Sequence, residues 1–148
     1  MEAKKFKVII VEDVKLELKG TEEIFRHEIP EAEIIGTAMT EQEFWSLMEA
    51  GVPDLVLLDL GLGGSTTIGV DICRNIFKRY PGVYVLIFTG EILNEKLWVD
   101  VLDAGADGII LKTGELLTKT DEPLWMGRSL SLIIPYWKKL WSVLRLLS

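Results

Sequence analysis

The sequence predicts a three-layer α/β domain built on a doubly wound parallel sheet. Three observations carry this: short apolar runs alternate with amphipathic stretches, the runs have almost no polar interruption, and polar residues gather where the runs end. Strands that alternate with helices of this length pair in parallel through right-handed crossovers. The first strand is FKVIIV, 6–11, and the helical spacing of 14–28 follows it. The second strand covers 33–38. Thr40 and Glu43 then form a capping box that opens a helix over 41–50. The third strand, 55–58, has the length and composition of one buried on both faces. A helix over 70–80, a strand over 83–88, a helix over 92–104 and a strand over 108–111 complete the five-stranded pattern.

Composition narrows the functional classes. The chain has 148 residues, one domain by length, with 49% apolar and 26% charged residues, which excludes a disordered polymer. A net charge of −7 argues against a nucleic-acid surface, because phosphate binding needs a basic field. A single cysteine, Cys73, makes no internal disulfide, and a single histidine, His27, builds no histidine cage, so a cytoplasmic location is expected. Basic residues precede the apolar 8–11 run, but Glu12 and Asp13 cut it far short of a signal-peptide core. No segment is apolar for long enough to argue for membrane insertion.

The stretch DLVLLDLGLGGS, 54–65, raises the functional question, since it ends a buried strand in a carboxylate. In a parallel sheet the C-terminal strand ends and their loops form the ligand site. Glu12 and Asp13 end the first strand, Asp59 the third, Thr89 the fourth and Lys112 the fifth, so all five should converge on one edge. Taken singly, each has a plain explanation: Asp13 as a helix cap, Thr89 bonding backbone, Lys112 as a solvated charge. Taken together at equivalent points of the pattern, they imply a site. Two like charges about 4 Å apart repel by roughly 4 kcal/mol at an effective dielectric of 20, so one lysine does not quiet three carboxylates. A divalent cation is implied, and an all-oxygen donor set with room for waters and a phosphoryl group suits Mg²⁺. Asp59 is then a candidate nucleophile.

The motifs VIIVED, LVLLDL, LIFTG and GADGIILK, spread over about residues 5–120, resemble those of the receiver domains of two-component response regulators. The resemblance implies a flavodoxin-like sheet of order 2-1-3-4-5. It also implies that Asp59 accepts a phosphoryl group from a histidine kinase or phosphotransfer protein. Asp13 would bind Mg²⁺ directly, Glu12 mostly through water, and the Gly61 carbonyl would be a further ligand. Lys112 would pair with phosphoryl oxygens, the Thr89 hydroxyl would swing to bond them, and Gly90 would leave room for the incoming group. No separate catalytic activity is expected beyond Mg²⁺-dependent self-phosphorylation and autodephosphorylation.

Three departures from the family pattern stand out. Position 63 is Gly where receivers usually carry proline, and the helix-opening glycine is Gly69, ten residues after Asp59, which makes the loop about two residues longer. Thr113 follows Lys112 where a cis proline is usual; a cis bond without proline costs about 3 to 4 kcal/mol, so a trans peptide is expected. Ile109 stands where the switch Phe or Tyr is usual. The loop matches neither phosphate-cradling glycine motif, which leaves a flavodoxin-like cofactor enzyme unsupported. His27 reads as a partly exposed helix residue, Cys73 as a buried small one, and the acids of the first helix as a solvated face that a kinase could also use.

The organisation expected is a receiver over 1–134 and an extra amphipathic helix over 135–148. Residues 123–148 hold no acid, four bases and three of the five tryptophans. Leu130, Ile133, Ile134, Trp137, Leu140, Trp141, Leu144 and Leu147 share one face at 100° per residue, and Pro135 should kink or restart the helix. Three readings stay open for that helix: packing or homodimerisation, a linker to further domains, or an anionic membrane surface. The functional expectation is a phosphorylation-dependent switch with output through an unidentified downstream protein. The alternatives are a degenerate receiver acting as a constitutive interaction module, or the receiver fragment of a longer regulator or hybrid kinase.

Overall fold

The computed structural model describes residues 5–30, 32–89, 95–111 and 116–117. Their elements in chain order are β1 (Phe6–Val11), α1 (Lys15–Glu28), β2 (Ala32–Ala38), α2 (Glu41–Ala50), β3 (Leu55–Asp59), a 3-10 turn (Leu62–Gly64), α3 (Thr66–Arg79), β4 (Tyr84–Thr89), α4 (Glu95–Asp103), β5 (Gly108–Leu111) and β6 (Leu116–Leu117). The sheet order is β2-β1-β3-β4-β5-β6. The first five strands pair in parallel in the order 2-1-3-4-5, as expected, and β6 adds a short antiparallel edge through Ile109↔Leu117 and Ile110↔Leu116.

The central strands sort their side chains by the two-residue period of a pleated strand. Val8, Ile10, Leu55, Leu57, Leu86 and Phe88 face one side with Leu18 and Phe25 of α1. Ile9, Val11, Val56, Leu58, Val85 and Ile87 face the other side with Phe44 and Met48 of α2, Ile72, Cys73 and Ile76 of α3 and Val101 of α4. Both faces are therefore dry, which is why these strands read as continuous apolar runs. Each such side chain stabilises the fold by about 1.5–3 kcal/mol relative to exposure.

Two aspartates that sequence reasoning passed over tie the strand beginnings together. Asp54 precedes β3 and accepts the Lys7 N–H at 2.8 Å, while its own N–H donates to the Lys7 carbonyl at 2.9 Å. Asp107, buried before β5, accepts the Val85 N–H at 2.9 Å and donates its N–H to the Val85 carbonyl at 2.8 Å. Each carboxylate thus satisfies a donor near the start of a neighbouring strand and helps set its register.

Helix boundaries follow local chemistry. Thr40 Oγ1 accepts the Glu43 N–H at 3.1 Å, and the reciprocal bond runs from the Met39 N–H to Glu43 Oε1 at 3.4 Å, one residue ahead of the cap. Helix α3 starts at Thr66, four residues before the apolar periodicity, because its first turn packs against the backbone after β3. A Cβ on Gly69 would lie 2.6 Å from the Leu60 carbonyl oxygen and 3.1 Å from its Cα. The expected helix at 135–148, the kink at Pro135, the domain boundary near 134, the peptide at Lys112–Thr113 and positions 92–94 all lie outside the described residues. His27 is exposed, with Nε2 3.0 Å from Glu23 Oε2, and Cys73 is buried.

Replacing Gly69 with alanine forces α3 away from Leu60, and overpacking of this kind costs roughly 1–3 kcal/mol. The expected outcome is a lower urea midpoint with an unchanged slope; an unchanged midpoint would show that the contact is soft.

Candidate functional site

The register of β1 against β3 builds the site. Val11 pairs with Leu58, so the next residues, Glu12 and Asp59, come level at the C-terminal edge of two adjacent strands. Glu12 stays in line because its N–H donates to the Ala38 carbonyl at 2.9 Å, continuing the ladder onto β2. Asp13 follows at the turn into α1. Glu12 is 4% exposed and Asp59 7%, with Asp13 partly open, and a carboxylate oxygen from each lies within 4.8 Å of the others.

Asp13 does not cap the first helix. The N-cap is Val14, with no side-chain cap bond. Asp13 Oδ2 instead accepts the N–H of Gly63 at 3.0 Å, across the site in the loop after β3. Asp59 Oδ1 accepts the N–H of Gly61 at 3.1 Å. Two of the three acids are therefore held by alternate backbone donors of one loop. Its turn is closed by the Gly64 N–H donating to the Gly61 carbonyl at 2.9 Å and is seated by buried Leu62. Gly63 and Gly64 have φ of +69° and +77°, which L side chains rarely adopt. These donors were missing from the sequence reading; the double glycine after the acid was their signal.

Thr89 ends β4, fully buried, one step past the Phe88–Asp59 pair and opposite Leu111. It therefore stands on the strand next to Asp59 at the same edge. Ile109, at the position of the usual switch aromatic, is likewise fully buried. Lys112 and Gly90 lie outside the described residues, so the structure places four of the five strand-end groups on this edge: Glu12, Asp13, Asp59 and Thr89.

Electrostatics decide what the arrangement requires. Two carboxylates within 4.8 Å of each other repel by at least about 3.5 kcal/mol at an effective dielectric of 20. Two backbone hydrogen bonds and the positive N-terminal end of α1 offset part of this. The three acids offer hard oxygen donors that converge on one point, and that set fits a small divalent cation. Chemically, a nearly buried carboxylate beside two further acids, with a threonine ending the adjacent strand, is an arrangement that a bound cation could turn toward nucleophilic attack on an anionic centre. No helix among the described residues is long and apolar enough to cross a membrane.

Comparison with known proteins gives a consistent picture. Residues 8–120 match the family model described as the response regulator receiver domain. The chain is 29% identical over 126 residues to the DNA-binding transcriptional activator DevR/DosR of Mycobacterium tuberculosis, covering 84% of this chain and 56% of that protein. It is 31% identical over 109 residues to the transcriptional regulatory protein DegU of Brevibacillus brevis, covering 73% and 44%. The chain thus spans about half the length of the curated relatives it matches. Among solved structures, the isolated REC domain of RcsB from Salmonella enterica serovar Typhimurium, in the presence of phosphomimetic BeF3-, superposes with a TM-score of 0.66 at 21% identity, covering 75% of this chain and 80% of that one. The signal receiver domain of a DNA-binding response regulator from Colwellia psychrerythraea superposes at 0.67 with 23% identity, covering 92% and 98%.

Removing one charge from the cluster should stabilise the cation-free protein. Asp13→Asn keeps an acceptor for Gly63 while deleting repulsion, so its melting temperature in EDTA is expected to exceed that of the wild type. Millimolar MgCl₂ is expected to raise the wild-type value and leave the variant nearly unmoved. A variant that melts lower in EDTA would contradict this reading of the charges.

Proposed function

This chain belongs to the response regulator receiver family, and from that premise we propose that it is a phosphorylation-dependent switch of a two-component system, with Asp59 as the phosphoacceptor. The observation that supports this best is the meeting of Glu12, Asp13 and Asp59 within 4.8 Å at the C-terminal edge of β1 and β3. Asp13 and Asp59 would hold Mg²⁺ directly, Glu12 mostly through water, with the Gly61 carbonyl as a further ligand. The ion's role when bound is to neutralise charge on the carboxylates and the phosphoryl oxygens.

The rest of the chemistry belongs to the chain. Asp59 Oδ1 is engaged by the Gly61 N–H, which leaves Oδ2 to attack. That oxygen forms a bond to phosphorus of a phosphohistidine on a kinase or phosphotransfer protein. The P–N bond breaks, and its electron pair returns to the imidazole. Such transfer depends on alignment and charge neutralisation more than on covalent help from the protein. Lys112 would pair with phosphoryl oxygens, and Gly90 would leave them space. The Thr89 hydroxyl would turn to donate to one of them, drawing the end of β4 toward the site. Hydrolysis reverses the state when water attacks phosphorus and the P–O bond to Asp59 breaks.

Output is proposed to run through contact with a downstream protein. The relatives' names describe transcriptional regulators, and a DNA-linked role for a protein containing this receiver is part of the same proposal. A second reading, a constitutive interaction module, is favoured by one observation: Ile109 is an apolar, fully buried residue where the switch aromatic is usual.

Incubation with a small phosphodonor and Mg²⁺ is expected to add one phosphate to the intact mass, and Asp59→Asn to add none. An unchanged wild-type mass favours the constitutive module, and a gain that survives in Asp59→Asn would remove Asp59 from its role.

A further inference from the structure

The loop after β3 does more than connect two elements. Gly61 and Gly63 aim their N–H groups at Asp59 and Asp13 respectively, at 3.1 and 3.0 Å, while Leu62 between them is buried beneath the turn. The usual proline at position 63 has no N–H and holds φ near −65°, so neither the bond to Asp13 nor the observed φ of +69° is open to it. Gly63 is itself exposed, so burial does not explain its conformation. The bond spans fifty positions of sequence and engages one oxygen of the Asp13 carboxylate, Oδ2.

We infer that Gly63 is a positioning residue for the acidic cluster: its left-handed backbone presents an N–H that orients Asp13 toward Glu12 and Asp59 and thereby sets the cluster's affinity for a divalent cation. The inference rests on the metal-binding reading above. A carboxylate held by a fixed donor keeps its remaining lone pairs directed and loses less freedom when a cation binds, as with outer-shell partners in metal sites generally. The loop also becomes a lever on the site, since any partner that rearranges residues 61–64 would release Asp13.

The test compares Gly63→Ala with Gly63→Asn by calorimetric titration with MgCl₂ alone, beside wild type and Asp13→Asn. Both substitutions at 63 place a Cβ 3.3 Å from Ile68 Cδ1, so that contact is common to them. They differ in backbone preference, because asparagine visits the left-handed region and alanine resists it. Gly63→Ala is expected to weaken Mg²⁺ binding roughly 10-fold, in the range for lost outer-shell partners, while Gly63→Asn retains most of the wild-type affinity. Equal affinity in all three, with Asp13→Asn weakened, would overturn the positioning role and leave the metal site standing. Equal weakening in both variants would overturn it too, by showing crowding and not backbone direction. Absence of Mg²⁺ binding in the wild type would overturn both.

Discussion

Carboxylate crowding at one rim of the sheet is the constraint around which the rest of this molecule is arranged. It arises from strand pairing: β1 and β3 lie side by side in a register that brings Glu12 level with Asp59, and Asp13 follows at the turn. Charges held that close in a nearly dry setting cost several kcal/mol unless something opposes them. The fold meets the cost with apolar packing on both faces of the sheet and with directed backbone donors at the rim. The site is therefore a local instability carried by a rigid support, an arrangement common where binding or catalysis is the purpose.

The support and the site share parts. Asp54 and Asp107 stitch the N-terminal ends of the strands, so that the opposite ends are held at fixed relative height. Gly69 lets α3 press against Leu60, and this seats the loop whose glycines reach the acids. The chain path through the loop in turn runs through two consecutive left-handed residues, Gly63 and Gly64. Sequence, turn chemistry, packing and charge thus lead to the same rim.

Much of this was legible in the sequence, for physical reasons that differ by element. The strands could be read because both faces are buried, leaving runs such as Val56-Leu57-Leu58 without polar interruption. The convergence of Glu12, Asp13 and Asp59 followed from the topology that alternating elements impose. The start of α3 was misplaced because its first turn, Thr66–Gly69, carries a single packed apolar residue, Ile68, and a close backbone approach at Gly69, and periodicity does not register either. β6 was overlooked because two residues paired antiparallel on an edge carry no pattern of their own. The Gly63–Asp13 bond was invisible for a deeper reason: it depends on a dihedral angle and a partner fifty positions away, so the glycine pair announces conformational freedom without saying where the N–H will point. The Arg79 guanidinium, 4.8 Å from the Trp45 ring, is another contact that spacing alone does not disclose.

The most direct measurement is anomalous diffraction from crystals soaked in Mn²⁺, a stand-in for Mg²⁺ that scatters strongly. One peak is expected in the space bounded by Glu12, Asp13 and Asp59, within bonding distance of at least two of their oxygens. Occupied metal elsewhere with this space empty, or acids turned apart from one another, would contradict the central claim.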